Sequence, residues 1–198
     1  MFENLLNPPK FNISEVGWTL DFLSQEDCDK VEKYCAELVT SEGSIDAGLA
    51  IQNYQQNSDI RESKVGWLAQ SQETERLYKM VADFVRGVNQ SYYGFRLNGF
   101  EEKIQYAEYP EGHGHYDWHL DIGPKANFRK LSLVIQLSDP ESYEGGELQI
   151  MKSKTIDVAP RKRGAIVVFP SFILHRVTPV TKGVRKSLAI WISGPPFA

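Results

Sequence analysis

The chain has 198 residues, of which 41% are hydrophobic, and this length favours one domain built around one sizeable core. Its formal net charge is -4, with charges of both signs interspersed along the chain. That balance provides no basic surface for phosphates, so no nucleic-acid partner is expected.

Two helices are predicted in the first half of the chain. Ser24 can cap the first helix, in which apolar residues recur at helical spacing to about Thr40. The second begins near Ser71 and carries an apolar stripe until about Gln90. We therefore predict that residues 1–98 are largely helical and support the rest of the domain.

The cysteines and the N-terminus bear on the cellular compartment. Cys28 and Cys35 are seven residues apart in the first predicted helix. Two turns of helix separate them by about 10 Å, which is too far for a disulfide, so they are expected to be reduced. Neither a signal peptide nor a stretch of membrane-spanning length is apparent. These features predict a cytoplasmic protein without a membrane partner.

From Gly99 onward the pattern changes to short strands with turn residues between them. The predicted strands are Lys103–Tyr109, Leu131–Ser138, Glu147–Met151, Ala165–Phe169 and Ser187–Ser193. Several strands at even spacing predict a sandwich or jelly roll. Helices first and strands after predict a single, mainly β (α+β) domain over residues 1–198, in which residues 99–198 form the jelly-roll core.

The histidines of the chain are concentrated in two short segments. One contains His113, His115 and His119, and the other contains His175. Alternate residues of a strand share a face, so His119 and Asp121 can bind one ion together. His175 would complete a set of two histidines and one carboxylate, which is the ligand pattern of non-heme Fe(II) oxygenases. We expect His113 and His115 to line the mouth of the same pocket.

A possible anchor for an anion follows the last histidine. Arg185 lies ten residues after His175, at the start of the last predicted strand. Its guanidinium can hold a dicarboxylate through a bidentate pair. Ser187 shares a strand face with Arg185, so its hydroxyl can help to hold the same carboxylate. Trp191 continues that face, and the apolar tract Leu188–Trp191 is expected to wall the pocket.

Several motifs in the second half occur in a characteristic order. Residues 109–121 contain Tyr-x-x-Gly, an aromatic residue and His-x-Asp. The later motifs are Gln136–Pro140, Tyr143–Leu148, Arg163–Gly164, Phe169–Ser171, His175–Val177, Pro179–Val180 and Gly183–Ser187. In these motifs and their spacing the chain resembles the prolyl 4-hydroxylase-like, PKHD-type branch of the Fe(II)/2-oxoglutarate-dependent dioxygenases.

The resemblance implies a double-stranded β-helix and a role for each matching residue. His119, Asp121 and His175 would be the catalytic iron ligands. Arg185 would bind the distal carboxylate of 2-oxoglutarate, and Tyr109, from Tyr-x-x-Gly, would lie near this cosubstrate. Gln136 falls near a position where some relatives have a tyrosine, which leaves the second contact to the carboxylate open.

The resemblance also implies an activity. Such enzymes use O2 to convert 2-oxoglutarate to succinate and CO2 while they hydroxylate an unactivated C–H bond, and relatives often need ascorbate. The expected substrate is a peptide or a small molecule, with a prolyl residue as the leading possibility. The loops Ser41–Asp59 and Ile122–Arg129 are expected to act as lids. The sequence does not specify the oligomeric state.

Two other classes of protein fit some of these residues. One is a cupin-type metal-binding jelly roll acting as an isomerase, a hydrolase or a sugar binder, with zinc as a plausible metal. That class does not require Arg185, which could instead be a solvated surface charge. The other is a structural or partner-binding β sandwich, in which the histidines are incidental and Asp121 only caps a turn.

Overall fold

The computed structural model describes residues 15–38, 40–43, 45–46, 54–55, 58–152 and 154–197. Within these ranges the α-helices are α1 (Gln25–Ala36) and α2 (Glu75–Val88). The strands there are β1 (Gly17–Thr19), β2 (Ser41–Glu42), β3 (Ile45–Asp46), β4 (Tyr54–Gln55), β5 (Arg61–Glu62), β6 (Lys64–Leu68), β7 (Ile104–Tyr109), β8 (His115–His119), β9 (Arg129–Gln136), β10 (Tyr143–Gly145), β11 (Leu148–Lys152), β12 (Thr155–Val158), β13 (Ile166–Pro170), β14 (His175–Val177), β15 (Val180–Gly183) and β16 (Arg185–Ser193). No helix in the described part of the chain is long and apolar enough to cross a membrane.

Both predicted helices are present, with shorter bounds than the apolar pattern indicated. The Ser24 hydroxyl caps α1 by accepting the backbone N–H of Asp27 at 3.0 Å. The helix ends at Ala36, before the predicted end near Thr40. The α2 helix starts four residues after Ser71, since the preceding residues form a turn.

The strands form two main antiparallel sheets. In the seven-stranded sheet the order is β1-β13-β9-β16-β7-β6-β2, and in the five-stranded sheet it is β12-β11-β14-β8-β5. The pairs β10–β15 and β3–β4 form small separate sheets. A buried apolar cluster lies between the main sheets, as in a jelly roll, which confirms the predicted mainly β fold with supporting helices.

The five predicted strands correspond to β7, β9, β11, β13 and β16. The first half of the chain is not only helical support, however, because β6 joins the seven-stranded sheet and β5 joins the five-stranded sheet. Within the predicted loop Ser41–Asp59, β2 pairs with β6 and β3 pairs with β4, while part of this loop lies outside the described residues. Strands of two residues are too short to show a period in the sequence.

Alternation along β16 assigns its side chains to two different environments. Leu188 and Ile190 are buried in the core beneath the helices, whereas Ala189 and Trp191 face the cavity between the sheets. The prediction that the whole tract Leu188–Trp191 walls the pocket is therefore wrong for Leu188 and Ile190. Successive residues of a strand point to opposite faces, so only every second one can line a cavity.

Gly164 joins the sheet to the segment before α1 and is expected to be sensitive to substitution. Its carbonyl accepts the N–H groups of Phe22 and Leu23 at 3.1 and 2.9 Å. Its φ is +82°, and an added Cβ would lie 2.3 Å from the Leu23 carbonyl oxygen. We expect Gly164→Ala to lower the free energy of unfolding by about 2 kcal/mol or more.

A matched control for Gly164→Ala is available in α2. Gly87 is helical and exposed, and an added Cβ would meet nothing within 4 Å. We expect Gly87→Ala to raise the free energy of unfolding by about 0.5–1 kcal/mol. Urea denaturation of both variants measures these changes, and equal midpoints for the two would contradict the strain at Gly164.

Candidate metal centre

A cavity of about 580 Å³ opens between the two main sheets. All of the site residues predicted from the sequence line this cavity. They are Tyr109, His119, Asp121, His175, Arg185 and Ser187. The structure thus brings together side chains from β7, β8, β14 and β16 and from the turn that follows β8.

The two histidines and the aspartate converge on one point. His119 and His175 are register partners on the adjacent strands β8 and β14. Nε2 of His119 lies 3.8 Å from one carboxylate oxygen of Asp121, and Nε2 of His175 lies 3.4 Å from the other. The potential ligand atoms of all three side chains lie within 4.8 Å of one another.

Backbone carbonyls orient both imidazole rings. Nδ1 of His119 lies 2.7 Å from the carbonyl of Asp117, and Nδ1 of His175 lies 2.9 Å from the carbonyl of Ile173. A carbonyl only accepts, so each Nδ1 carries a proton and Nε2 is the nitrogen of each ring that faces the other potential ligands. Histidine ligands of metals commonly donate their other N–H in this way.

Asp121 is fixed through its carboxylate and its backbone. The Ser132 hydroxyl donates to the carboxylate at 2.6 Å, and the backbone N–H of Asp121 donates to the Ser171 carbonyl at 3.0 Å. Burial alone would raise the pKa of Asp121, but the neighbouring histidines and the Ser132 hydrogen bond outweigh it and lower the pKa. The group is therefore an ionised carboxylate at neutral pH.

Burial, reinforced by the nearby His175, lowers the pKa of His119 to about 3. The imidazole is thus neutral at physiological pH and can use Nε2 as a metal ligand. Two imidazoles beside one carboxylate form a donor set that suits Fe(II) and leaves coordination positions open. The residues present therefore fit a bound divalent metal.

Arg185 presents a buried cation to the same cavity. The residue is 1% exposed, and its guanidinium donates to the Ser187 hydroxyl at 3.2 Å and to the Gln136 side-chain oxygen at 3.0 Å. The guanidinium carbon lies 5.2 Å from the centre of the Tyr109 ring, and Nε has no hydrogen-bond partner. Among the described residues, no carboxylate lies within ion-pair distance of Arg185.

A buried guanidinium without an acidic partner is costly, because its desolvation is not offset by an ion pair. Protein side chains supply only neutral acceptors to Arg185 in this site. The arrangement therefore suits an anionic ligand whose carboxylate completes the hydrogen bonding of the guanidinium.

Some residues of the cavity were not predicted from the sequence. Arg61 and Gln105 line the wall near His119, and Arg129 lies against Trp191 with its guanidinium carbon 3.9 Å from the ring centre. Arg129 also pairs through two nitrogens with Glu102. Gln105 shares a face of the predicted strand Lys103–Tyr109 with Tyr109, so the strand period could have identified it. Arg129 ends the loop Ile122–Arg129 that was expected to act as a lid, and no local pattern marks Arg61.

The prediction for the two other histidines is wrong. His113 is exposed, and neither His113 nor His115 belongs to the described residues that line the cavity. The His115 ring instead contacts backbone carbonyls of His113 and Asp59, at 2.7 and 3.3 Å. The second predicted lid does border the cavity, since residues 122–126 contribute to its lining.

Known proteins resemble this chain in sequence over its second half. Residues 104–193 match the family model of the 2OG-Fe(II) oxygenase superfamily. A PKHD-type hydroxylase from Teredinibacter turnerae is 41% identical over 85 residues, which cover 40% of this chain and 38% of that protein. The chain spans 28% to 54% of the length of the curated relatives that it matches.

Solved structures share the fold over most of the chain. A prolyl-4-hydroxylase from Pseudomonas putida superposes with a TM-score of 0.69 at 21% identity, over 92% of this chain and 94% of that one. A prolyl hydroxylase from Trichoplax adhaerens, solved with a hypoxia inducible factor peptide fragment, gives a TM-score of 0.74 at 16% identity, over 90% and 83%. These likenesses confirm the double-stranded β-helix.

The sequence match and the geometry concern the same residues. The three potential metal ligands and the buried arginine all lie inside the matched range 104–193, on or beside strands that the structure pairs around one cavity. Over residues 104–193 the chain is therefore similar to the 2OG-Fe(II) oxygenase superfamily, and PKHD-type hydroxylases are among the relatives that match it there.

Proposed function

We propose that the protein is an Fe(II)- and 2-oxoglutarate-dependent dioxygenase that hydroxylates an unactivated C–H bond, of the prolyl 4-hydroxylase type. The observation that carries the proposal is the buried Arg185 guanidinium, which has no acidic partner among the described residues and shares a cavity with a two-histidine, one-carboxylate triad. A metal alone would not require this second, cationic group, whereas a chelating keto diacid requires both.

His119, Asp121 and His175 would hold the iron in this proposal. Bound Fe(II) supplies the redox chemistry that couples O2 and the conversion of 2-oxoglutarate to succinate and CO2 with hydroxylation of the substrate. The protein binds and orients the reactants. The hydrogen bonds to both Nδ1 atoms and the Ser132 hydroxyl on Asp121 keep the donor atoms aimed at one point.

Arg185 would bind the distal carboxylate of 2-oxoglutarate. The Ser187 hydroxyl accepts from Arg185, so its own proton is available to the same carboxylate. Tyr109 forms the wall beside the guanidinium. Gln136 holds the guanidinium from the other side and also donates to the Pro160 carbonyl, so its role is to orient Arg185.

We further propose that the substrate is a peptide with a prolyl residue. Trp67 and Leu120 line the cavity while 41% and 44% exposed, and the Trp67 ring lies 6.4 Å from the ring of Trp191. Exposed aromatic rings of this kind offer a flat surface for a proline ring. The Trichoplax adhaerens neighbour was solved with a peptide, which supports this class of substrate.

The test is succinate formation by the purified protein with Fe(II), 2-oxoglutarate, O2 and a peptide library. We expect peptide-stimulated succinate, together with a prolyl peptide that gains one oxygen atom by mass spectrometry. Succinate released without peptide gives the uncoupled background. Absence of succinate from iron-loaded protein under all peptide conditions would contradict the proposal. Ascorbate is expected to extend turnover, and a cytoplasmic location remains a prediction.

A further inference from the structure

A row of three side chains extends from the cavity wall to one potential metal ligand. The guanidinium carbon of Arg61 lies 4.6 Å from the centre of the Tyr116 ring. The Tyr116 ring also stacks on the His119 imidazole, with ring centroids 3.4 Å apart and planes inclined by 13°. A cation on an aromatic face is attracted by the negative potential of that face.

Arg61 is itself fixed by hydrogen bonds across the two sheets. The residue is 8% exposed, and its Nε donates to the Ser63 hydroxyl at 2.8 Å. A terminal nitrogen donates to the Gln105 side-chain oxygen at 2.9 Å. Because Arg61 belongs to β5 and Gln105 to β7, the guanidinium links the edge of the five-stranded sheet to the seven-stranded sheet.

We propose that Arg61 is a positioning residue that acts through Tyr116 on His119. The hydrogen bond from Nδ1 to the Asp117 carbonyl restrains one edge of the His119 ring but still permits tilting about that bond. The Tyr116 ring covers one face of the imidazole and blocks this tilt. Arg61 in turn prevents Tyr116 from leaving its place. This inference rests on the proposed metal site.

The other histidine is restrained in a different way. His175 is buried, with the Phe169 ring edge-on at a centroid distance of 4.7 Å. Phe169 belongs to the packed core between the sheets, so the core itself contacts the His175 ring. His119 lies on β8, next to the edge strand β5, and its ring contacts among the described residues are with Tyr116 and His175. An arginine-held tyrosine therefore supplies there the restraint that the core supplies to His175.

The chain offers a matched control on the same strand. Arg176 lies over the Trp118 ring at 4.6 Å, the same distance as in the Arg61 pair. Trp118 neighbours His119 in sequence, but among the described ring contacts it does not touch either potential histidine ligand. Arg176→Gln therefore removes an equivalent cation–aromatic contact without removing the restraint on the imidazole.

The experiment is anaerobic titration of the metal-free protein with Co(II), followed through the d–d absorption bands and without reference to turnover. We expect Arg61→Gln to weaken Co(II) binding about tenfold and to shift the absorption bands. This is the size of effect seen when a residue that orients a metal ligand, without binding the metal itself, is removed. Tyr116→Leu should have the same effect, and Tyr116→Phe, which keeps the ring, should behave like the wild type. Arg176→Gln should also leave the dissociation constant and spectrum unchanged.

A second measurement, of 2-oxoglutarate binding, distinguishes a local effect on the metal site from a general disturbance of the cavity. Arg61 donates hydrogen bonds to Ser63 and Gln105, whereas Arg185 donates to Ser187 and Gln136, so these bonds hold the two guanidiniums through different residues. With saturating Co(II), the dissociation constant for 2-oxoglutarate should therefore stay within about twofold of the wild type in Arg61→Gln and in Tyr116→Leu.

Three outcomes are decisive. Equal Co(II) affinities and spectra for wild type, Arg61→Gln and Tyr116→Leu would overturn the positioning role and leave the proposed function intact. Equal weakening by Arg61→Gln and Arg176→Gln would also overturn it, because the effect would then follow from general loss of packing. Failure of the wild type to bind Co(II) would instead overturn the proposed function itself.

Discussion

Alanine in place of His119 is expected to abolish succinate formation and to weaken Fe(II) binding by more than about 100-fold. Loss of a residue that only hydrogen-bonds to a metal ligand already lowers the affinity for the metal about 10–100-fold, so loss of the ligand itself should lower it further. The Nε2 atom of His119 is one of the donors within 4.8 Å of one another, and no other histidine of the described chain borders the cavity except His175. Anaerobic Fe(II) titration and a succinate assay measure the two effects.

His113→Ala is the matched control for this prediction. His113 lies in the same segment as His119, but it is exposed and outside the described cavity lining. The control should keep wild-type affinity for Fe(II) and wild-type turnover. Normal turnover in the His119→Ala variant would show that the iron assignment is wrong, whatever the control does.

Methionine in place of Arg185 is expected to have opposite effects on cosubstrate binding and on stability. Removal of one partner from a buried, hydrogen-bonded charge pair costs about 2–5 kcal/mol, or about 30-fold to several thousand-fold in affinity for 2-oxoglutarate. The ligand-free protein should keep its stability or gain some, because the variant no longer buries a guanidinium that lacks an acidic partner in the described chain. Arg185→Lys should bind 2-oxoglutarate with intermediate affinity, because an ammonium cannot form the bidentate pair.

Thermal unfolding with Mn(II) present, with and without 2-oxoglutarate, measures both effects. At 100 times its dissociation constant, 2-oxoglutarate should stabilise the wild type by about 2.7 kcal/mol, and the Arg185→Met variant by much less at the same concentration. Undiminished stabilisation of this variant would contradict the assigned anchor. If its catalytic function were also complete, a cupin-type metal site would then be the better description.

Arg163 provides the contrasting case for Arg185. It pairs with Asp29 at 2.8 Å and with Glu32, and it also donates to the Leu137 carbonyl at 2.7 Å. Arg163→Met should therefore lower the free energy of unfolding by about 2 kcal/mol, because hydrogen bonds to charged groups are lost. It should leave 2-oxoglutarate binding unchanged. If the free energy of unfolding falls in Arg163→Met but rises in Arg185→Met, Arg163 is a cation that stabilises the fold and Arg185 is one that is positioned to bind a ligand.

Local rules made much of the site predictable from the sequence. His119 and Asp121 are two residues apart at the end of a strand, so their common face followed from the strand period. The same rule placed Arg185, Ser187 and Trp191 on one face of β16, and the structure has all three at the cavity. The same period explains why Leu188 and Ile190 do not line the cavity, because they lie on the opposite face of β16 and are buried in the core beneath the helices.

Other features of the site depend on strand pairing. His175 meets His119 because β14 and β8 pair in one particular register, and a one-residue slip would turn the imidazoles to opposite faces. The contact between Arg61 and Gln105 joins strands of two different sheets, 44 residues apart in the chain. Contacts of this kind have no period in the sequence, so no local pattern could reveal them.

The amino-acid sequence by itself determined which residues could bind a metal and an anion, and that short strands would carry them. Only the tertiary structure decided that His113 and His115 stay outside the cavity, that Arg185 is buried without an acidic partner in the described chain, and that Tyr116 is held between Arg61 and His119. The reason is that ligand type and strand period are local properties, whereas burial and charge pairing arise from the packing of sheets that are distant in sequence.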